Sequence, residues 1–230
     1  MDRLRIFTGY DRREAVGWHV FAQSVIDRCS LPVEITPLTE QFCSAAGGQR
    51  DGSNAFTFGR YLVPYYSDWE GWALFVDGAD MLVRSDLADL WTLRDPEKAI
   101  LVVKHEYKTK HSRKFVGTSM ESANTDYPRK NWSSVILWNC EHPSNRALSP
   151  EFVTSADSGT LHRFKWLDDE LIGELPRTWN HLVGEYEHSV NARLAHFTLG
   201  IPGFQHYSEA DYSREWKETL TNALEGIQIR

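Results

Sequence analysis

The stretch "FVDGADMLV", residues 75–83, decides how this 230-residue chain folds. It continues the apolar run "WALFV" (72–76), which predicts a buried strand, and it places Asp77 and Asp80 directly after that strand. Side chains alternate between the two faces of a strand, so residues three apart point to opposite sides unless the chain turns between them. Gly78 permits such a turn, which would bring together two hard oxygen ligands suited to Mg²⁺ or Mn²⁺. Without the turn, they are two solvated aspartates at a strand end.

The N-terminal segment predicts a β-α-β unit. The stretch "LRIFTGY" (4–10) has the pattern of a short strand, and "VEITPL" (33–38) that of a second one. Between them, Asp11 and Glu14 have the spacing of a capping box at the start of a helix. Such a unit favours a parallel sheet covered by helices, with ligands bound at the carboxyl ends of the strands. The two aspartates should therefore lie at the ligand-binding edge.

The remaining pattern extends this α/β reading along the chain. The pattern predicts helices over residues 56–68 and 85–91 and buried strands over 99–103 and 134–138. Residues 42–54 are rich in Gly and Ser and predict a mobile loop, and the long polar segment 104–131 could form a lid. We therefore predict a Rossmann-type, mixed but mainly parallel sheet flanked by helices, in a single domain over residues 1–230.

Composition excludes several classes of function. The formal charge of −7 argues against nucleic-acid binding, because a phosphate backbone requires a basic surface. An anionic substrate must then be held locally, by a metal or a small basic cluster. The aromatic share of 13%, with nine Trp, is the one excess, and aromatic side chains also stack on sugar rings.

The cysteines and the N-terminus bear on location. Cys29, Cys43 and Cys140 lack metal-binding spacing and their number is odd, which fits reduced thiols. Neither a signal peptide nor a membrane-spanning stretch is evident, so the sequence predicts a soluble, cytoplasmic protein.

Three further groups of polar residues are candidates for chemistry. His196 in "HFTLG" (196–200) is either a Mn²⁺ ligand or a core histidine. Asp168, Asp169 and Glu170 form either a catalytic acidic face or carboxylates that complement a helix dipole. A basic cluster could neutralise a phosphate or could be a solvated loop; it contains Lys104, His105, Lys108, Lys110, His111, Arg113 and Lys114.

Taken in order, these stretches resemble glycosyltransferases of the family 8 type, which have the GT-A fold and use nucleotide-sugar donors. The resemblance runs over most of the chain and is most specific around the family's metal-binding Asp-X-Asp. The matching segments are "RIFTGYD", "FTFGRYLVPYY", "LFVDGADMLVRSDLADLW", "NWSSVILWNC", "WLDDELIGELPRTWN" and "AHFTLGIPGF".

The resemblance implies a role for individual residues. Asp80 and His196 fall on metal-ligand positions, and Asp77 stands one residue further from Asp80 than the family pattern asks, as a direct ligand or a ribose contact. The remaining implied contacts are Thr8, Tyr10 and Asp11 at the base and ribose, Arg60 at the diphosphate or sugar, Asn139 at the acceptor or sugar, and Gly200 at the phosphates.

Three departures from the family pattern affect the mechanism. Asp169 occupies the slot of a glutamine beneath the anomeric carbon, where a carboxylate could act as nucleophile, as electrostatic stabiliser or as a supporting group; Asp168 precedes it. Trp132 and Ser134 replace the usual Asn and Gly of the sugar-binding strand, so the identity of the sugar cannot be inferred from that of a relative. The lysine expected after Gly200 is missing, which leaves Lys104 or Lys108 as the counter-charge for one phosphate.

The resulting prediction is a Mn²⁺- or Mg²⁺-dependent transferase of polysaccharide biosynthesis. It would move a hexosyl unit, with retention, from a UDP-sugar to a saccharide or lipid-linked hydroxyl. Residues 1–100 would form the nucleotide-binding half and 101–200 the sugar and acceptor half. The segment 205–230 would form an amphipathic helix that packs on the body or touches a membrane peripherally. The alternatives are a saccharide- or nucleotide-sugar-binding domain without turnover, and a nucleotidyltransferase.

Overall fold

The computed structural model of the chain describes residues 3–45 and 56–224. Most of the loop predicted over 42–54 lies outside the described residues, as does the end of the segment 205–230. The helices are α1 (Ala15–Arg28), α2 (Glu40–Ala45), α3 (Val63–Tyr66), α4 (Leu87–Trp91), α5 (Pro150–Ser155), α6 (Ser158–His162) and α7 (Ser213–Leu224). The strands are β1 (Leu4–Gly9), β2 (Val33–Leu38), β3 (Trp72–Val76), β4 (Met81–Val83), β5 (Ile100–Val102), β6 (Arg113–Lys114), β7 (Ser122–Ala123), β8 (Val135–Asn139), β9 (Ile172–Glu174), β10 (His181–Leu182) and β11 (Leu194–His196).

A six-stranded central sheet confirms the predicted fold class. Its strand order is β2-β1-β3-β8-β5-β9. Strand β1 pairs in parallel with β2 and β3, and β5 pairs in parallel with β9, whereas β8 runs antiparallel to both of its neighbours. The sheet is therefore mixed but mainly parallel. A smaller sheet, β10-β11-β4, lies at the carboxyl end of β3, and β6 and β7 form a short hairpin.

Helices cover both faces of the central sheet, because its strands are apolar on both sides. In β3, Ala73 and Phe75 belong to one core, and Leu74 and Val76 to the other. The first core also takes side chains from α3, α5 and α6, and the second takes side chains from α1 and α4. Continuous apolar strands of this kind are typical of sheets buried on both faces.

The start of α1 differs from the predicted capping box. The Asp11 carboxylate accepts a hydrogen bond from the Arg13 backbone N–H, and a 3₁₀ turn over Arg12–Glu14 precedes the α-helix. The Glu14 carboxyl does not return to the cap, and its Oε1 is buried without a hydrogen-bond partner. Glu14 is consequently a buried carboxyl close to the site described below, and not a helix-capping group.

The C-terminal helix α7 packs on the body of the protein. Trp216 is 2% exposed and shares a core with Val20 of α1, Ile201 and Tyr212. An ion pair between Arg84 and Glu215, with Nε and Oε2 2.7 Å apart, ties the helix to the end of β4.

Within residues 3–45 and 56–224, none of the helices has the length and apolar character that crossing a membrane requires.

Candidate functional site

The chain turns sharply between Asp77 and Asp80, which is the first of the two alternatives that the sequence left open. Gly78 has φ +86°, and the Met81 N–H donates to the Gly78 carbonyl at 3.0 Å. A Cβ on Gly78 would lie 1.9 Å from Thr8 Oγ1, so a larger residue would push the turn away from the end of β1. This close approach gives a physical reason why glycine occupies the slot in which the family pattern has an aspartate.

The turn brings Asp77 and Asp80 beside His196. One ligand atom from each of the three residues lies within 4.8 Å of the others, and we call this group the metal triad. His196 arrives on β11, which pairs antiparallel with β4 in a register that sets His196 opposite Met81. The short sheet therefore carries the histidine to the residue next to Asp80.

A chain of hydrogen bonds fixes the orientation of the His196 ring. Ser134 Oγ donates to the Asn131 carbonyl at 2.7 Å, so it is free to accept from Asn180 Nδ2, which lies 2.8 Å away. This orientation of the amide turns Asn180 Oδ1 toward His196 Nδ1, at 2.9 Å. An amide oxygen accepts hydrogen bonds, so His196 Nδ1 carries a proton, and in the neutral ring Nε2 is the nitrogen with the lone pair.

The lone pair on His196 Nε2 faces a carboxylate. Asp80 Oδ2 is 3.2 Å from Nε2, and Asp80 Oδ1 is buried without a hydrogen-bond partner. The Nε2 of a neutral imidazole and a carboxylate both offer lone pairs, so the cation between them is a proton or a metal ion. A histidine whose other ring N–H donates to an oxygen is the usual arrangement at metal centres. The donor set of two carboxylates and one imidazole thus fits a divalent ion such as Mn²⁺.

Arg60 supplies a buried positive charge at the edge of the metal triad. Its Nη1 lies 2.8 Å from Asp77 Oδ1, while its directed hydrogen bonds go to the backbone carbonyls of Ser133 and Thr57. Burial raises the pKa of Asp77 to about 6; the charge of Arg60 opposes this rise and that of Asp80 adds to it. Arg60 therefore lies at the metal triad, and its contact with a diphosphate or a sugar stays a prediction.

A cavity of about 150 Å³ opens over the metal triad, and we call it the triad cavity. Besides Asp77, Asp80, His196 and Arg60, it is lined by Thr57, Lys114, Phe115, Tyr127, Asn131, Ser133, Ser134, His162 and Thr198. Burial lowers the pKa of His162 to about 3, so this imidazole is neutral at physiological pH. Most of these lining residues were not singled out from the sequence.

The lysine that lines the triad cavity is Lys114. The two lysines considered from the sequence, Lys104 and Lys108, do not line it. Lys104 lies over the Trp132 ring, with Nζ 6.0 Å from its centroid, and Lys108 is exposed. The Lys114 ammonium forms no ion pair with any described residue, and its charge is one of those that oppose the rise in the pKa of Asp77. Lys114 is one of the seven residues of the basic cluster found in the sequence, but the sequence alone did not distinguish it from the other six.

The polar segment predicted as a lid is anchored against the C-terminal part of the body. The Phe115 N–H donates to the Leu199 carbonyl at 2.6 Å, and the Val116 N–H donates to Tyr207 Oη at 3.0 Å. The buried Glu185 carboxylate accepts from the Lys110 N–H at 3.0 Å. These anchors hold the hairpin of β6 and β7 where Lys114 reaches the cavity.

The predicted nucleotide contacts at the end of β1 lie close to this turn. Thr8 Oγ1 is buried without a hydrogen-bond partner, and the ring of Tyr10 meets Trp18 edge-on, with centroids 5.8 Å apart. Burial alone would raise the pKa of Asp11, but hydrogen bonds from Arg13 and its charge outweigh burial and hold that pKa below its ordinary value. Burial raises the pKa of Glu14 to about 8, with Asp80 adding to the rise.

The placement of Asn139 does not favour the contact with the acceptor or sugar that the resemblance implies. Strand β8 runs antiparallel to β3, so Asn139 pairs with Trp72 at the opposite end of the sheet from Asp77. Its Nδ2 donates to the carbonyls of Pro96 and Lys98 at 3.3 and 3.1 Å. Asn131, at the other end of the same segment, lines the triad cavity instead.

Asp168, Asp169 and Gly200 also lie outside the lining of the triad cavity. Asp168 and Asp169 are exposed at a 3₁₀ turn before β9, and Asp169 Oδ1 pairs with Arg129 Nη2 at 2.5 Å. Gly200 lines a different cavity and packs against the ring of Tyr207. Their predicted roles at the anomeric carbon and at the phosphates remain predictions that this placement does not favour.

The architecture is that of GT-A glycosyltransferases. The bifunctional glycosyltransferase WbbM superposes with a TM-score of 0.65 at 13% identity, over 96% of this chain and 50% of WbbM. GlyE of Streptococcus pneumoniae TIGR4 gives 0.63 at 15% identity, over 97% of this chain and 62% of GlyE. The galactosyltransferase LgtC, in complex with donor and acceptor sugar analogs, gives 0.54 at 12% identity, over 95% and 96% of the two chains. The chain thus spans half of WbbM and less than two thirds of GlyE.

Sequence similarity then defines the family. No protein-family model matches the chain. It is 41% identical over 224 residues to Protein CDI of Arabidopsis thaliana. This alignment covers 93% of this chain and 84% of that protein. The chain belongs to the family of Protein CDI.

Proposed function

We propose that the protein is a metal-dependent glycosyltransferase of the family 8 type that transfers a hexosyl unit from a UDP-sugar to a saccharide or lipid-linked hydroxyl. The metal triad carries this proposal, because His196 Nδ1 donates to Asn180 Oδ1, an orientation that turns Nε2 toward Asp80. The GT-A architecture supports it. Retention, polysaccharide biosynthesis and a cytoplasmic location follow the resemblance and the sequence.

Different residues of this chain would bind the metal, the phosphates and the nucleoside of a nucleoside diphosphate. Asp77, Asp80 and His196 would hold Mn²⁺ or Mg²⁺, which when bound acts as a Lewis acid on the charge that develops at the leaving group. Arg60 and Lys114 place two positive charges at the triad cavity for the remaining phosphate oxygens. Thr8, Tyr10 and Asp11 would hold the base and ribose beside them.

The transferred sugar would lie between the triad cavity and the surface. Tyr127 lines this cavity and is 43% exposed, so its ring offers a face on which a sugar can stack. Asn131 and Thr198 add polar groups that can bind hydroxyls. Because Asp169 is exposed and paired with Arg129, we assign it no bond to the anomeric carbon.

Turnover of nucleotide sugars tests the proposal. We expect the protein to release UDP from at least one UDP-hexose in the presence of Mn²⁺, and we expect EDTA or the substitution Asp80→Asn to abolish release. Asp89→Asn is the matched control, because Asp89 is an exposed carboxylate of α4 outside the triad cavity. Release that persists in EDTA would refute metal dependence. Metal-dependent UDP binding without any turnover would favour the alternative of a nucleotide-sugar-binding domain.

A further inference from the structure

A second, larger cavity adjoins the triad cavity. It has a volume of about 540 Å³ and shares six lining residues with its neighbour, namely Thr57, Lys114, Tyr127, Asn131, His162 and Thr198. Its lining also contains Lys130 and Arg163, and we call it the cationic cavity. A ligand in it would lie next to a sugar held at the metal triad.

The charge of the cationic cavity is one-sided. Three of its lining residues are cationic, and none of the described lining residues carries a carboxylate, although the chain as a whole has a formal charge of −7. Among the described residues, neither Lys114 nor Arg163 forms an ion pair. Lys130 is 8% exposed, donates to Asn124 Oδ1 at 2.7 Å and lies 3.8 Å from Asp126. Lys130 is thus paired with Asp126, whereas the charges of Lys114 and Arg163 are unmatched among the described residues, and unmatched positive charge favours an anionic ligand.

The rest of the lining suits a sugar ring. Tyr107, Tyr127 and Phe58 contribute aromatic faces, and aromatic rings present an apolar surface on which the C–H groups of a sugar can pack. Asn124 and Asn131 contribute amides, and Asn131 Nδ2 donates to Tyr107 Oη at 2.9 Å. Aromatic faces beside amides and cations point to a sugar that carries a negative charge.

We propose that the cationic cavity binds an anionic saccharide, with its carboxylate or phosphate against Arg163 and Lys130. The inference rests on the proposed function, because the cavity is occupied by the acceptor or by the transferred sugar of the donor. Both sources share one chemistry, namely a uronic acid or a phosphorylated sugar.

Binding of simple sugars tests the assignment without turnover. Ligand-observed NMR titrations would compare glucuronic acid and glucose 6-phosphate with glucose, in the presence and absence of UDP and Mn²⁺. We expect the two anionic sugars to bind at least about tenfold more tightly than glucose, and Arg163→Gln and Lys130→Met each to remove about tenfold of that preference. Arg146→Gln is the control, because Arg146 is exposed, lies over Trp69 and is remote from this cavity.

A second arm identifies the source of the charge. If UDP-glucuronic acid binds more tightly than UDP-glucose and Arg163→Gln removes the difference, the anionic group belongs to the donor; if the preference appears only with free sugars, it belongs to the acceptor. An absent preference, or one that both variants retain, overturns the inference. Metal-dependent UDP binding measured on the same samples shows that the variants are folded. A wild-type protein that binds the anionic sugars but not UDP would refute the proposed function and leave this cavity assigned.

Discussion

At the scale of single residues, the orientation of His196 is the feature on which the site depends. Its Nδ1 donates to Asn180 Oδ1, and Asn180 is itself held by Ser134 Oγ. None of these contacts follows from the order of residues along the chain, because Ser134 and Asn180 come from separate segments. A sequence can suggest that a histidine binds metal, but the partner that sets its tautomer becomes visible only in the folded protein.

Removing the amide that orients His196 should weaken metal binding. We expect Asn180→Ala to lower Mn²⁺ affinity by about 10–100-fold, because the ring loses the acceptor that holds its proton on Nδ1. Asn180→Asp keeps an acceptor and should bind Mn²⁺ at least as tightly as wild type. Calorimetric titration with Mn²⁺ measures both, with the exposed Asn191→Ala as control. Wild-type affinity in Asn180→Ala would mean that Asn180 does not orient the ligand.

The buried carboxyl of Glu14 should make stability depend on pH. Its pKa is raised from 4.5 to about 8 by burial first and by Asp80 and other carboxylates second. The unfolded chain loses this proton near pH 4.5 and the folded chain near pH 8, so the contribution to stability is complete below pH 4.5 and is lost as pH rises through 8.

The substitution Glu14→Gln tests this pH dependence. With EDTA present, we expect it to leave Tm unchanged at pH 4.5 and to raise Tm by several degrees at pH 8.5, since 1 kcal/mol corresponds to about 2–4 °C in a chain of this size. Equal melting of the variant and wild type at pH 8.5 would show that folding does not raise the pKa of Glu14.

At the scale of elements, the sequence predicted the first strands and the first helix but not the direction of β8. The β-α-β opening and the apolar run before Asp77 were sufficient for β1, α1, β2 and β3, because their periodicity is strong and the connections are short. Periodicity does not reveal strand direction, so the antiparallel course of β8, which sets Asn139 at the opposite end of the sheet from Asp77, was not foreseen. Likewise, His196 lies beside Asp80 because β11 pairs with β4, and these two strands are far apart in the sequence.

The docking of α7 should contribute strongly to stability. Trp216 is 2% exposed and packs in a core with Val20, Ile201 and Tyr212, so Trp216→Ala should lower the free energy of unfolding by about 3–5 kcal/mol. Leu224 in the same helix is 52% exposed, and Leu224→Ala should change it by less than about 0.5 kcal/mol. Urea denaturation measures both, and similar midpoints for the two variants would show that the helix does not dock through Trp216.

At the scale of the whole molecule, the GT-A architecture and the place of the metal triad agree. The triad lies where β3 ends beside β1, at the edge at which ligands of α/β sheets bind. The chain is acidic overall, yet Arg60, Lys114, Lys130 and Arg163 line two adjoining cavities. This local positive charge is consistent with the inference from composition that an anionic substrate must be held locally, by a metal or a small basic cluster.

The central claim is that the metal triad binds a divalent ion that in turn binds a nucleoside diphosphate. The most direct measurement is calorimetric titration of the protein with UDP in the presence of Mn²⁺, in the presence of EDTA, and with Asp80→Asn, using GDP as the control nucleotide. We predict UDP binding that requires Mn²⁺, weakens at least about 100-fold in EDTA and in Asp80→Asn, and exceeds the binding of GDP. Binding of UDP that is equally tight without metal, or no binding of either nucleotide with Mn²⁺, would contradict the claim.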